Sequence, residues 1–101
     1  MRNIIPLSVP SLKGKEYQYV KDCIDTEWVS SAGKYADEFE KKIADYTGAK
    51  HAVACVNGTT ALQVSLRLAG VVPDDEVIVP TLTFIAPVNT IVYNGASPIF
   101  M

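Results

Sequence analysis

Long apolar runs are missing from this sequence. No stretch approaches the ~20 apolar residues that a membrane-spanning helix needs, and Met1 to Pro6 lacks a signal peptide's apolar region and small-residue cleavage site. These absences place the expected protein in the cytoplasm, with no membrane partner. Cysteine is scarce. Cys23 and Cys55 stand far apart in different expected elements, so no disulfide is expected between them in a reducing compartment. Together with the single histidine, His51, they do not make a four-ligand zinc set, and no metal is expected. Both read as small apolar packing residues. Positive charge is not in excess either: nine Lys and Arg face eleven Asp and Glu, scattered, for a net charge of −2. That leaves no electrostatic footprint for nucleic acid. Also absent are a G-x-G-x-x-G turn after a strand, a phosphate-binding P-loop and a G-x-S-x-G nucleophile elbow.

What remains is a globular composition, 49% hydrophobic and 20% charged. At 101 residues the chain is of small single-domain size. Residues 3–10, with prolines at 6 and 10, read as an extended arm. Ser11 is placed to cap a helix starting near Leu12 and ending around Thr26, with Tyr17, Val20 and Ile24 on one stripe. The stretch Trp28–Gly33 is turn-rich. A second helix is expected over Lys34–Tyr46, striped by Tyr35, Phe39 and Ile43, with Gly48 as its C-terminal cap.

From His51 the pattern changes. His51–Val56 is a strand-length apolar run, Asn57-Gly58-Thr59-Thr60 is a polar turn, and Ala61–Ala69 is a helix-length apolar segment. The first N–H groups of a helix lack intrahelical partners and sit at the positive end of its dipole, so a turn here is an anion site in outline. Val77–Val79 is a continuous β-branched run that suits a strand buried on both faces. The loop Thr81–Phe84 follows, and Pro87 falls in the first turn of a fourth helix ended by Asn94-Gly95. Ile99–Met101 reads as a third strand. Strands alternating with helices give an α/β layered architecture with parallel strands. The chain stops inside the apolar run Ala96–Met101, where domains more often end in a polar tail, so it is expected to be the front piece of a longer protein.

Two loops thus follow consecutive strands, and in open α/β sheets ligands bind outside those strand ends. One loop offers an anion site and the other an aromatic ring, Phe84, which together suit a flat, phosphorylated, aromatic ligand. The residues equally allow a plain reading. Asn-Gly is a common turn, Thr-Thr can cap a helix, and Phe84 can be core. His51 has no evident partner and reads as structural, and Asp74-Asp75-Glu76 reads as solvated.

Taken in order, the motifs resemble the N-terminal part of the pyridoxal-phosphate sugar aminotransferases of fold type I, the DegT/DnrJ/EryC1/StrS family. Ile5–Pro10 resembles the family's opening arm. Trp28-Val-Ser-Ser-Ala-Gly33 through Phe39-Glu40 is similar to its tryptophan–hydroxyl–glycine segment, and Val56–Leu62 to its phosphate loop. Asp75–Asn89 resembles its Asp-Glu-Val-Ile stretch, and Gly95–Phe100 its Gly-Ala strand. Asn57 stands where the family usually has serine, and Asp74 where it usually has glycine.

The resemblance implies a three-layer α/β/α fold, present here as part of the large domain of a PLP-dependent transferase. Residues 1–50 would form the arm and two helices, and residues 51–101 the start of the PLP-binding large domain. It implies pyridoxal phosphate as cofactor, its phosphate held by Gly58, Thr59 and Thr60 and its ring faced by Phe84. Trp28 and Ser30 would lie near the nucleotide-sugar substrate, although Trp28 also suits a plain hydrophobic anchor. The version of the segment here looks closest to members acting on UDP-linked sugars. An amino-acid donor, expected to be glutamate, and a homodimer complete the implied partners. The activity implied is transfer of an amino group to a nucleotide-linked keto sugar, in bacterial surface-polysaccharide or related biosynthesis. A dehydratase of the same fold and a stand-alone phosphate-binding module are the alternatives. The family's Schiff-base lysine matches none of the seven lysines here, so no catalytic residue is assigned and the chain alone is expected to be inactive. The first strand would also sit apart from the second and third.

Overall fold

A computed structural model describes residues 4–101, so the start of the expected arm at residue 3 lies outside the described residues. The chain forms two compact units, one ending at Glu38 and the other running Phe39–Met101.

In the first unit residues 4–10 form no helix or strand and bend at Leu7, and Ile4, Ile5 and Leu7 are fully open to solvent. Helix α1 covers Glu16–Asp25. It begins later than the expected start near Leu12, and Ser11 does not cap it. The N-cap residue is Lys15, without a side-chain cap, while the Glu16 carboxylate reaches back to the Gly14 N–H at 2.8 Å. A glycine is costly inside a helix, and an acid in the first turn complements the dipole, so the helix starts after Gly14. Its end is a double bond of the Schellman type, with Glu27 N–H donating to Ile24 O (3.1 Å) and Trp28 N–H to Cys23 O (2.9 Å). Glu27 takes the left-handed position, φ 57°. Among the described residues, the stripe of Tyr17, Val20 and Ile24 remains exposed. Helix α2, Lys34–Thr47, begins in this unit and runs on into the second; it matches the expected span and ends at Gly48 with φ +72°.

The second unit holds the α/β part, expected as a layered fold and found in partial form. Helix α3 is Gly58–Leu68, strand β1 Glu76–Val79, helix α4 Ile85–Tyr93 and strand β2 Ser97–Phe100. β1 and β2 pair in parallel, Glu76 beside Ser97 through Val79 beside Phe100. The ladder continues past the strands, with Met101 N–H on Val79 O (3.1 Å) and Thr81 N–H on Met101 O (2.9 Å). α4 packs on this pair and α3 on α4. The centre is Val79, Ile91 and Ala96, flanked by Leu66, Val71, Val77 and Val88.

Two expectations fail. His51–Val56 is not a strand, because no described segment lies beside it to accept and donate the ladder bonds that define one. Ile78, expected to be covered on its own face of β1, is 68% exposed, since the helices cover only the Val77–Val79 side. Cys55 is likewise exposed, Cys23 is half-buried, and both are free.

Asp74 explains its own departure from the family pattern. Its φ is +72°, the left-handed region where glycine is unstrained and Asp tolerated. Its N–H donates to Gly95 O at 3.0 Å, which fixes the turn into β1. Asp74→Val is expected to lower stability by roughly 1–2 kcal/mol in urea titration, whereas Asp74→Gly should not lower it.

Candidate functional site

The turn Asn57–Thr60 is the start of α3 itself. Asn57 is an extended N-cap whose Oδ1 accepts from Thr60 N–H at 2.9 Å and from the Thr60 hydroxyl at 3.1 Å. The side chain that departs from the family's serine therefore caps the helix and engages both Thr60 donors. Ala61 N–H donates to Asn57 O (3.1 Å), the first regular helical bond. Among the described residues, nothing accepts from the N–H groups of Gly58 and Thr59 or from the Thr59 hydroxyl. A Cβ built on Gly58 would meet nothing within 4 Å. The chain's own packing does not need a glycine here, but a ligand drawn close to the backbone would. The donors suit a phosphate, which is the fit that a pyridoxal phosphate requires. Of the three residues expected to hold it, Gly58 and Thr59 present open donors, and Thr60 spends its own on Asn57.

Phe84 is the N-cap residue of α4, with an extended backbone, and the residue is 78% exposed. The loop that carries it leaves β1 at the strand's C-terminal end, beside Met101. A large aromatic left open at that edge has the surface to lie against a flat ring.

In the first unit the Trp28 segment is tightly built. The Trp28 indole N–H donates to Ala32 O at 2.8 Å, and Gly33 lies under the ring with φ +156°, so that a Cβ there would fall 2.1 Å from Nε1. Trp28 also lines a cavity of about 360 Å³ with Asp22, Cys23, Thr26, Lys34 and Tyr35. Ser30 does not line it, and its Oγ accepts weakly from Ala32 N–H at 3.4 Å. Sequence reading missed the cluster on the cavity's rim. Asp22 Oδ2 accepts from Tyr35 OH (2.8 Å) and pairs with Lys34 Nζ (2.6 Å). Lys34 also stands 4.7 Å from the centre of the Tyr35 ring, which meets Tyr19 edge-on at 4.9 Å. An acid on one expected helix and a lysine at the start of the next look like ordinary solvated charges in sequence, so nothing there marks the pair. Among the described residues no group of His, Cys, Asp and Glu could hold a metal, and no helix is long and apolar enough to cross a membrane.

The second unit is thus part of a parallel α/β fold, with open donors at a helix start and an exposed aromatic at the strand edge. The chain belongs to the DegT/DnrJ/EryC1/StrS aminotransferase family, which matches residues 10–101. It is 53% identical over 97 residues to a GDP-perosamine synthase of Caulobacter vibrioides, covering 96% of this chain and 26% of that protein. It is 41% identical to a spore coat polysaccharide biosynthesis protein of Bacillus subtilis, covering 97% and 25%. The chain thus spans about a quarter of the length of these relatives. Among solved structures, a putative sugar aminotransferase from Streptococcus pneumoniae in its PLP form aligns with a TM-score of 0.85 at 34% identity, covering 96% of this chain and 24% of that one. An Escherichia coli GDP-4-keto-6-deoxy-D-mannose-3-dehydratase with bound hydrated PLP shares the fold at 22% identity, with a TM-score of 0.81 and coverage of 95% and 26%.

Two outcomes follow from the Trp28 segment. Gly33→Ala is expected to displace the indole, costing at least about 1 kcal/mol and shifting the tryptophan emission. The second concerns pH. The hydrogen bond from Lys34, then that from Tyr35, hold the Asp22 carboxyl below its ordinary 3.8. A lowered folded value means that its stabilisation is present above the ordinary value and is lost as pH falls through the lowered one. The bond to Asp22 raises both Lys34 above 10.5 and the Tyr35 phenol above 10.0. Their contributions are full below those values and are lost as pH rises through the raised ones. The clamp therefore holds across neutral pH and opens at both extremes. Asp22→Asn should bring the Tyr35 phenolate absorbance titration down toward that of free tyrosine.

Proposed function

We propose that this chain supplies the phosphate-holding turn and the ring-facing aromatic of a pyridoxal-phosphate aminotransferase acting on a nucleotide-linked keto sugar. The observation that carries the reading is the pair of open backbone donors at Gly58 and Thr59, beside a glycine face that is clear of the chain's own atoms. Gly58 and Thr59 N–H groups and the Thr59 hydroxyl donate to phosphate oxygens, with the α3 dipole adding to the attraction. Asn57 and Thr60 hold the turn in shape. Phe84 lies against the ring, orienting it and excluding water from one face. Bound there, the cofactor supplies the electron sink for amino-group transfer, and glutamate is the amino donor.

Trp28 and Ser30 are the proposed contacts for the nucleotide sugar, Trp28 the better supported because it lines the cavity. The relative at 53% identity is named for a GDP-linked sugar, which favours a guanine nucleotide over the UDP-linked substrate expected from the small residues of that segment. The spore coat relative supports a place in surface-polysaccharide biosynthesis. A homodimer and a cytoplasmic setting belong to the same proposal. Because none of the seven lysines stands in the family's Schiff-base motif, the 101-residue chain by itself has no transaminase activity.

The test is a chimera in which this chain replaces the matching quarter of the Caulobacter vibrioides GDP-perosamine synthase. The chimera should transaminate a GDP-linked keto sugar with glutamate, while the chain alone forms no pyridoxyl adduct on borohydride reduction. Gly58→Ala in the chimera should keep or raise the melting temperature, since its Cβ meets nothing, yet weaken pyridoxal phosphate roughly tenfold. Unchanged cofactor affinity in that variant would remove Gly58 from the site.

A further inference from the structure

The segment that delivers the chain to the phosphate turn is almost untethered. Among the described residues, 51–56 make a single hydrogen bond, from the Ala54 N–H to Glu40 Oε1 at 2.7 Å. Glu40 lies on α2, half-buried, inside the same compact unit as Ala54. A short bond from a backbone N–H to a carboxylate is of the stronger, charge-assisted kind. Two residues, Cys55 and Val56, separate the tethered alanine from the Asn57 cap. Over so short a span of chain, the position of Ala54 sets where Asn57 begins α3, and so where the open Gly58 and Thr59 donors point.

We propose that Glu40 is a positioning residue for the phosphate turn, acting through the Ala54 N–H to fix the start of α3. The proposal rests on the reading of Gly58 and Thr59 as phosphate donors. Glu40 touches neither phosphate nor substrate. Its effect is to restrict the approach segment before the ligand arrives, which spares the ordering that binding would otherwise have to impose.

The experiment uses the chimera described above, with pyridoxal phosphate and inorganic phosphate as probes and cofactor affinity measured separately from the melting temperature. Glu40→Ala should raise the dissociation constant for pyridoxal phosphate roughly three- to tenfold, the effect of one net hydrogen bond. It should also speed amide exchange at Ala54. Glu40→Gln, whose carbonyl can accept the same N–H, should restore affinity to within about twofold. Ala54→Pro removes the donor and leaves Glu40 in place, so it should reproduce the loss, and it stands in if the alanine variant does not fold. Gly58→Ala separates the two ideas. If it weakens binding while Glu40→Ala and Ala54→Pro do not, the positioning role is overturned and the phosphate turn stands. If Gly58→Ala binds like the parent, the phosphate turn falls and the positioning role falls with it. A loss in Glu40→Ala that glutamine fails to rescue also overturns the role of the Ala54 bond.

Discussion

The α/β part of this chain depends on how α4 closes over two short parallel strands. Val79, Ile91 and Ala96 meet there and are the buried apolar residues of the described chain. Four-residue strands have little independent stability, so the pair needs the helix as much as the helix needs the pair. Polar atoms are drawn into the same seam. Thr90 is fully buried with its hydroxyl on Pro87 O, and Asn94 donates to Thr90 O at 2.8 Å and to Gln63 O at 3.4 Å. Asn94 thus ties the end of α4 to the middle of α3, while among the described residues nothing donates to its buried Oδ1. Through these contacts the loop before α4 and the body of α3 are set against one small centre.

The parts of the fold that were legible in sequence were those decided locally. The stripe of Tyr35, Phe39 and Ile43 with Gly48 after it sufficed for α2, and Asn94-Gly95 for the end of α4. The β-branched run at Val77–Val79 sufficed for β1. What could not be read depends on partners distant in sequence. The run His51–Val56 has the composition of a strand, yet a strand exists only beside another, and among the described residues the acceptor that reaches it is a side chain on α2. Ser11 had the right chemistry for a cap and lost to Gly14 and Glu16, which set the start of α1 by backbone preference and a short carboxylate bond.

The phosphate turn was legible as a type of site but not in its division of labour. The resemblance pointed to three donors, Gly58, Thr59 and Thr60. Only the geometry separates Thr60, held by Asn57, from Gly58 and Thr59. The Asp22, Lys34 and Tyr35 cluster was not legible at all, because exposed charges on neighbouring helices carry no mark of which pairs will meet. Asp74 is the opposite case. Its departure from the family's glycine was visible in sequence, and its positive φ supplies the reason the family prefers glycine there.

The bond network of Asn57 bears on how a ligand would be received. Because Oδ1 already takes two donors of Thr60, the first turn of α3 is wound and fixed in the free chain, and an arriving phosphate need not organise it. The free energy of those contacts can then appear almost wholly as affinity, with little lost to ordering the protein. Exchanging Asn57 for a side chain with a shorter reach would shift that balance. The helix end would become richer in vacant donors but softer, trading a rigid receptor of few bonds for a pliable one of many.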